Sequence, residues 1–477
     1  RAGKLLQGDK KNVLVIVFDA FSAHNISLYG YQRDTTPNLK RLAKRATVFH
    51  NHYSGGNFTT PGTASILTGT LPWTHRAIRM GGQVKQEMAN KSIFHTFDDY
   101  YRFSYSHNTL VNTLFDQFKS DINDYIPQQK LFLLDDGIVR NLFQNDEDTA
   151  TVAWSRSMKR MEGSSYSLFL SQLYEKYRDQ KVVDIKKLYP YGLPNINTDN
   201  YYALDQGIDY FKGNIADVPK PFFGYLHFLP PHYPYKPREE FVGTFANDSF
   251  KPLVKPEDIF SEDKSPEFLD RSRSFYDEFA LNVDHELFET LENSGILDDT
   301  WVVFTSDHGE LFERGIWMHS TAALYQPIIR VPLLVFEPGT TTGRDVYEKT
   351  SAIDLMPTLL HLTRHPIPDW AEGTILPPYA DIINPNAQER IFAVQAKYNE
   401  PTYPLTEVSV AHIRDNFKLT YYLGYNEVDE KDKFQLFDIE EDPEELNDLS
   451  ISKPETASEL LNIVKKKLED VNKPYGA

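Results

Sequence analysis

Two acidic residues in this sequence close long apolar runs. Asp19 follows Val13-Leu14-Val15-Ile16-Val17-Phe18, and Asp307 comes just after Trp301-Val302-Val303-Phe304-Thr305, within Ser306-Asp307-His308-Gly309-Glu310. An apolar run without alternation is the pattern of a strand buried on both faces of a parallel sheet. The carboxyl edge of such a sheet is where open α/β folds place their ligands. A carboxylate there can hold a cation, although a plain helix cap explains Asp19 alone equally well. A third polar feature is the stretch NFTTPGTASILTG at residues 57–69, in which Thr59 offers an alcohol; its bland reading is an N-cap for the helix that follows. The chain has no cysteine. Disulfides, thiolate metal ligands and thiol nucleophiles are therefore excluded together.

The elements that would position these residues are partly readable. Phe275, Phe279, Val283, Leu287 and Leu291 recur every four residues, with Gly295 as a stop, so a helix leads into the Trp301–Thr305 strand. Val331–Phe336 is a third strand, and Phe222–Phe228 a fourth that runs into Pro-Pro-His-Tyr-Pro-Tyr. Strands alternating with helices predict an α/β fold with a central, mostly parallel sheet flanked by helices. Residues from about 115 to 215 read as a helical insertion over one side of the site, and the segment Pro366–Pro378 reads as a boundary. Beyond it, Arg390–Gln395, His412–Tyr422 and Phe434–Ile439 suit antiparallel strands, followed by a helix near Thr456–Leu468. The expected division is a catalytic domain over 1–375 and a small α+β C-terminal subdomain over 376–477.

The 477 residues carry 50 Lys+Arg against 68 Asp+Glu, a formal charge of -18. That balance disfavours nonspecific binding to nucleic acid or to anionic membrane. An anionic substrate would need local help from a metal ion or a few placed cations. No run is long enough to span a bilayer, and cysteine avoidance slightly favours an extracytoplasmic location.

Seven stretches in order resemble the sulfatase branch of the alkaline phosphatase superfamily: VIVFDAFSAHNISLYGYQRDTTPNLKRLA, TTPGTASILTGTLPWTH, HFLPPHYPYKP, TWVVFTSDHGE, WMHSTAALYQPIIRVPLLVF, TSAIDLMPTLLHL and FQLFDIEEDPEELNDL. The resemblance implies an alkaline phosphatase-like fold and an enzyme acting on ester bonds. The family signature is C-x-P-x-R, an apolar run and T-G. Counted from Pro61, Thr59 stands at the cysteine and Thr63 at the arginine, with Thr68-Gly69 closing the motif. Threonine is not a substrate for oxidation to formylglycine, so no formylglycine is expected and Thr59 remains an alcohol. The resemblance implies Asp19, Asp307, His308 and Thr59 as ligands of a divalent ion, for which Mn, Mg, Zn and Ca are all compatible. Ala20 occupies the place of a second aspartate, and the only nearby acid–histidine pair, Asp284-His285, is adjacent and helical. One ion is therefore expected, as in the threonine-dependent phosphoglycerol and phosphoethanolamine transferase-type relatives.

His232 and His319 match positions that face the anionic group or protonate the leaving oxygen. Asn57 and Asn108 could reach the substrate, while most of His24, His50, His52, His75, His107 and His227 read as structural. The family's signature arginine is Thr63, its lysine opposite the metal is His319, and its lysine–histidine pair is replaced by FSYSHNTLVN. Few positive charges remain for a dianion. The expected substrate is a small phosphodiester-like anion, such as a lipid or glycan head group, processed through a phosphothreonine. The alternatives are a sulfuric ester hydrolase and a non-catalytic binding protein on a decayed scaffold.

Overall fold

The computed structural model describes residues 10–133, 183–195, 201–381, 387–428 and 433–476, with isolated positions 173, 176 and 180. In chain order its strands are β1 (Asn12–Phe18), β2 (Ala46–Tyr53), β3 (Tyr101–Ser106), β4 (Asp124–Tyr125), β5 (Phe222–Phe228), β6 (Thr300–Ser306), the hairpin strands β7 (Phe312–Glu313) and β8 (Ile316–Trp317), β9 (Leu333–Phe336) and β10 (Arg344–Ser351). Apart from the hairpin, these form one eight-stranded sheet in the order β10-β2-β9-β6-β1-β5-β3-β4. β1 is buried along its whole length and pairs in parallel with β5 on one side and β6 on the other. Val17 lies level with His227 and with Thr305, so the three strands end together at one edge. That shared edge brings Asp19 and the Asp307 loop side by side.

β9 runs antiparallel to both neighbours. The chain leaves β6 at the carboxyl edge, stays there through the β7–β8 hairpin and a short helix (Gln326–Ile329), and so re-enters the sheet running back down. The expected helix is Pro266–Asn293; Phe279, Val283, Leu287 and Leu291 are buried on its inner stripe, and Gly295 follows with a left-handed φ of 71°. Asp284 on this helix accepts the Asn38 and Leu39 amides at 2.8 Å each, capping the helix Pro37–Leu42. Burial pushes its carboxyl up to about 7. Its role is packing two helices together.

About half of the expected insertion over 115–215 lies outside the described residues. Its described part includes one feature the helical reading lacks, since Asp124–Tyr125 adds an edge strand beside β3. The C-terminal sheet comprises β11 (Phe392–Gln395), β12 (Val408–Arg414), β13 (Phe417–Leu423) and β14 (Lys433–Asp438), all antiparallel. The run His412–Tyr422 therefore breaks into two strands: Asp415, at φ 52°, and Asn416 turn the chain between them. The helix Pro454–Asn472 packs Ala457, Leu460, Val464 and Leu468 on this sheet. Among the described residues no helix is long and apolar enough to cross a membrane.

A buried ion pair inside the C-terminal subdomain anchors it to the segment that precedes β9 in the catalytic domain. Lys418 of β13 donates to the Leu324 carbonyl at 2.7 Å and pairs with Glu445, whose other oxygen accepts the Gln326 amide at 2.8 Å. Lys418→Met would strand the Glu445 charge, and breaking a buried pair in this way costs about 3–5 kcal/mol. Urea unfolding should show that loss; a change below about 1 kcal/mol would mean the pair is solvated.

Candidate active site

Thr59 is the first residue of the helix Thr59–Thr68, whose cap position is Phe58 and which has no side-chain cap bond. The N-cap reading of Thr59 therefore has no support. Its Oγ lies 3.4 Å from each Asp19 oxygen and 3.4 Å from His308 Nε2. It is almost fully buried, at the positive end of a helix dipole, where an anion is favoured. Gly62 lets this helix approach closely, because a Cβ there would sit 2.2 Å from the Asp307 carbonyl oxygen. Ser54 donates to that same carbonyl.

Asp307 accepts from its neighbour's amide, His308 N, at 3.0 Å, from Ala20 N at 3.4 Å and from Thr63 Oγ at 3.3 Å. Ala20 takes a left-handed φ of 59°, a costly conformation for alanine that turns its amide toward this carboxylate. The threonine in the signature arginine's place thus steadies an acid. His308 donates Nδ1–H to the Gly309 carbonyl at 2.9 Å, which leaves Nε2 facing Asp19 at 3.1 Å.

His227, at the end of β5, completes the group. Its Nε2 is 3.6 Å from Asp307 and 3.9 Å from Asp19, and both ring nitrogens are buried without a hydrogen-bond partner. Ligand atoms of Asp19, His227 and Asp307 all lie within 4.8 Å of one another. Burial pushes the Asp307 carboxyl up to about 8, with the Asp19 charge adding to it. Burial would also raise Asp19, but the His232 and His308 imidazoles outweigh it and hold that carboxyl low. For His308 the desolvation is overcome by Asp307 and Asp19, and its pKa rises to about 9. Two sealed carboxylates and an unpartnered imidazole on one point suit a divalent cation, which would remove the need for shared protons.

A second ring of side chains surrounds this group. His319 bonds through Nδ1 to Glu310 at 2.8 Å, and Tyr235 OH donates to the other Glu310 oxygen at 3.1 Å. The His319 ring stands 4.2 Å from that of His308 and 5.1 Å from that of His232. Burial lowers the pKa of both His232 and His319. Thr59, Asn108, His232, His319, Ser320 and Lys397 line one cleft. Asn108 donates to Asp19 and lies 3.4 Å from Thr59 Oγ.

Asn57 is placed differently from the sequence expectation of substrate contact. Its Nδ2 is spent on the His319 and Thr321 carbonyls at 3.2 and 2.8 Å, so it braces the loop that carries His319 from behind. His50, His52 and His75 have partners elsewhere, in Asp345, Thr350 and Ser65, and His107 stacks on Tyr202. His227, grouped in the sequence with histidines that mostly read as structural, instead stands beside Asp19 and Asp307. Glu310 and Lys397 are absent from the sequence expectations: Glu310 closes the SDHGE motif, whereas Lys397 arrives from the other subdomain.

A family model described as Sulfatase matches residues 11–365, and one described as N-sulphoglucosamine sulphohydrolase, C-terminal, matches residues 316–474. The chain is 25% identical to a choline-sulfatase of Rhizobium meliloti, over 92% of this chain and 82% of that protein. It is 23% identical to an arylsulfatase of Clostridium perfringens, over 98% and 96%. The phosphonate monoester hydrolase of Agrobacterium radiobacter shares the fold with a TM-score of 0.66 at 18% identity, over 98% of this chain and 96% of that one. Motif order, strand-end acids and the matched length agree: this chain belongs to the sulfatase family, with an alkaline phosphatase-like fold and a C-terminal antiparallel sheet.

Proposed function

We propose that this protein is a metal-dependent hydrolase, or a transferase to an alcohol, that cleaves anionic phosphoesters through a covalent Thr59 ester and prefers diesters. The observation that carries the reading is the Thr59 alcohol itself, held within 3.4 Å of Asp19 and His308 in a chain with no cysteine. A sulfated formylglycine hydrate can collapse to an aldehyde and expel sulfate, whereas a sulfated threonine has no such exit. A phosphothreonine can be opened by in-line attack of water or an alcohol.

Asp19, Asp307, His308 and, on geometry, His227 would hold one divalent ion, which supplies charge that makes a nearby alcohol more acidic. In the first step Thr59 Oγ, its proton released to solvent water, bonds to phosphorus. The bond from phosphorus to the leaving oxygen breaks, and that oxygen takes a proton from His232 or His319. In the second step water or an alcohol gives a proton to the same imidazole and bonds to phosphorus, and Thr59 leaves and is reprotonated. Glu310 keeps His319 oriented throughout.

Sulfate ester hydrolysis is the second reading, favoured by the family and by the choline-sulfatase and arylsulfatase relatives. A panel of aryl phosphodiester, phosphomonoester and sulfate ester separates the two. The expected order of kcat/KM is diester, then monoester, then sulfate, with at least about a tenfold gap at the first step, equivalent to about 1.4 kcal/mol in the barrier. A clear preference for the monoester removes the diester assignment, and turnover of sulfate alone removes the phosphorus assignment. Inertness toward all three with no stoichiometric metal would leave a binding protein.

A further inference from the structure

The cleft in front of Thr59 is closed on one side by the C-terminal subdomain. The loop leaving β11 carries Lys397 to this wall, where its Nζ donates to Ser320 Oγ at 3.1 Å and sits 5.9 Å from the Phe58 ring centre. Among the described residues Lys397 forms no ion pair with a carboxylate, whereas the more deeply buried Lys418 and Lys255 are each paired to glutamates. The loop beneath it is fixed rather than loose. Lys397 N donates to Gln395 Oε1 at 3.1 Å; Asn399 gives Nδ2 to the Ala396 carbonyl and accepts the Thr406 amide at 2.7 Å; Arg79 Nε holds the Asn399 carbonyl at 3.0 Å. A half-buried ammonium without a counter-charge is costly, and burial accordingly lowers the Lys397 pKa.

The other polar groups of this wall are hydroxyls, an amide and imidazoles, Thr59, Ser320, Thr109, Tyr233, Asn108, His232 and His319, none of which is a lysine or arginine. Beyond the cleft the chain is strongly acidic, at -18. Among the described residues, an anionic ester approaching Thr59 therefore meets one lysine or arginine in the lining, and it meets it at Lys397.

We propose that Lys397 is the residue that recognises the charge of the substrate, its ammonium pairing with a non-bridging oxygen of the bound ester's acidic group. This deepens the reading of the protein as a hydrolase of anionic esters and rests on it. Lys397 binds and selects; it makes and breaks no bond. The C-terminal subdomain then becomes part of the substrate site rather than a separate support.

The test measures inorganic phosphate binding by calorimetry on protein loaded with a divalent ion, beside KM and kcat for an aryl phosphodiester. Lys397→Met should weaken phosphate binding and raise KM by about tenfold or more, the scale of one charge-assisted hydrogen bond. In the same variant kcat should change by less than about threefold, because uniform binding is what is lost. Lys397→Arg should recover most of the affinity. Unchanged phosphate affinity and KM in the methionine variant, or a loss confined to kcat, overturns the assignment. So does an arginine variant no better than methionine, which would mark Lys397 as a strut to Ser320. If the methionine variant does not fold, amine acylation of the wild type with a mass readout answers the same point. Phosphate should protect Lys397 from acylation, and absence of protection overturns the proposal. The two readings fail separately. Wild-type protein that binds phosphate through Lys397 but turns over no phosphoester refutes the proposed reaction and leaves this assignment standing. Phosphodiester turnover that ignores Lys397→Met refutes this assignment alone.

Discussion

Replacing Thr59 with alanine is expected to abolish phosphodiester turnover, lowering kcat by about a thousandfold or more, as removal of a nucleophile does elsewhere. The geometry makes the experiment clean. Thr59 begins its helix but does not cap it, since the cap position is Phe58. Alanine is a better helix former than threonine, so the thermal midpoint should hold and lost activity cannot be blamed on unfolding. Thr59→Ser keeps the hydroxyl and should retain activity within about an order of magnitude, because only a methyl contact is lost. A slowly released diester should leave a phosphoryl adduct on the wild type, visible by intact mass, and none on the alanine variant. Full turnover by Thr59→Ala would show that the nucleophile lies elsewhere, with water the next candidate.

How much of this could be read from residues alone depended on how strongly each element announces itself. β1, β5 and β6 are apolar runs covered on both faces, and their positions follow from hydrophobicity alone. β2 and β10 do not have that character. β10 alternates among Arg344, Asp345, Lys349 and other polar residues at the sheet edge, and it becomes a strand only because β2 offers it a partner. The direction of β9 depends on where the loop before it stays, which is a property of the whole topology. The site divides in the same way. Asp19, Asp307 and His308 stand at strand ends and Thr59 at a helix start, and these positions converge within a few ångströms. His227 needed the register of β5 against β1 to be told apart from a core histidine. Lys397 and the bracing role of Asn57 depend on how two distant loops pack, for which no periodicity exists.

Without divalent ions, the protein is expected to lose stability as pH rises from about 6.5 to about 9, above the range in which the buried histidines His52, His75, His107, His227 and His412, all lowered by burial, act in the opposite sense, and adding the ion should reverse most of the site's share of that loss. The sign follows from proton uptake. Asp307 ionises near 3.8 in a free carboxyl but is pushed to about 8 in the folded chain by burial and the Asp19 charge. His308 moves from 6.5 to about 9, its desolvation outweighed by Asp307 and Asp19. Both groups hold more protons folded than unfolded, so their stabilisation is complete below the unfolded values and lost as pH climbs through the folded ones. The steepest window, where both contribute, lies between about pH 6.5 and 8. Asp19 shifts the opposite way and acts only below that window. A divalent ion takes the place of those protons, so its binding releases them and its apparent affinity should climb with pH, by up to about tenfold per pH unit for each proton displaced. Asp284 and Asp354 are also raised by burial, to about 7 and about 6, but lie outside the site and slope both curves alike. The difference between melting curves in chelator and in excess ion therefore isolates the site. If that difference is the same at pH 5.5 as at pH 8, the carboxylates are not sharing protons in the empty site, and the cation does not bind where Asp19, His227 and Asp307 meet.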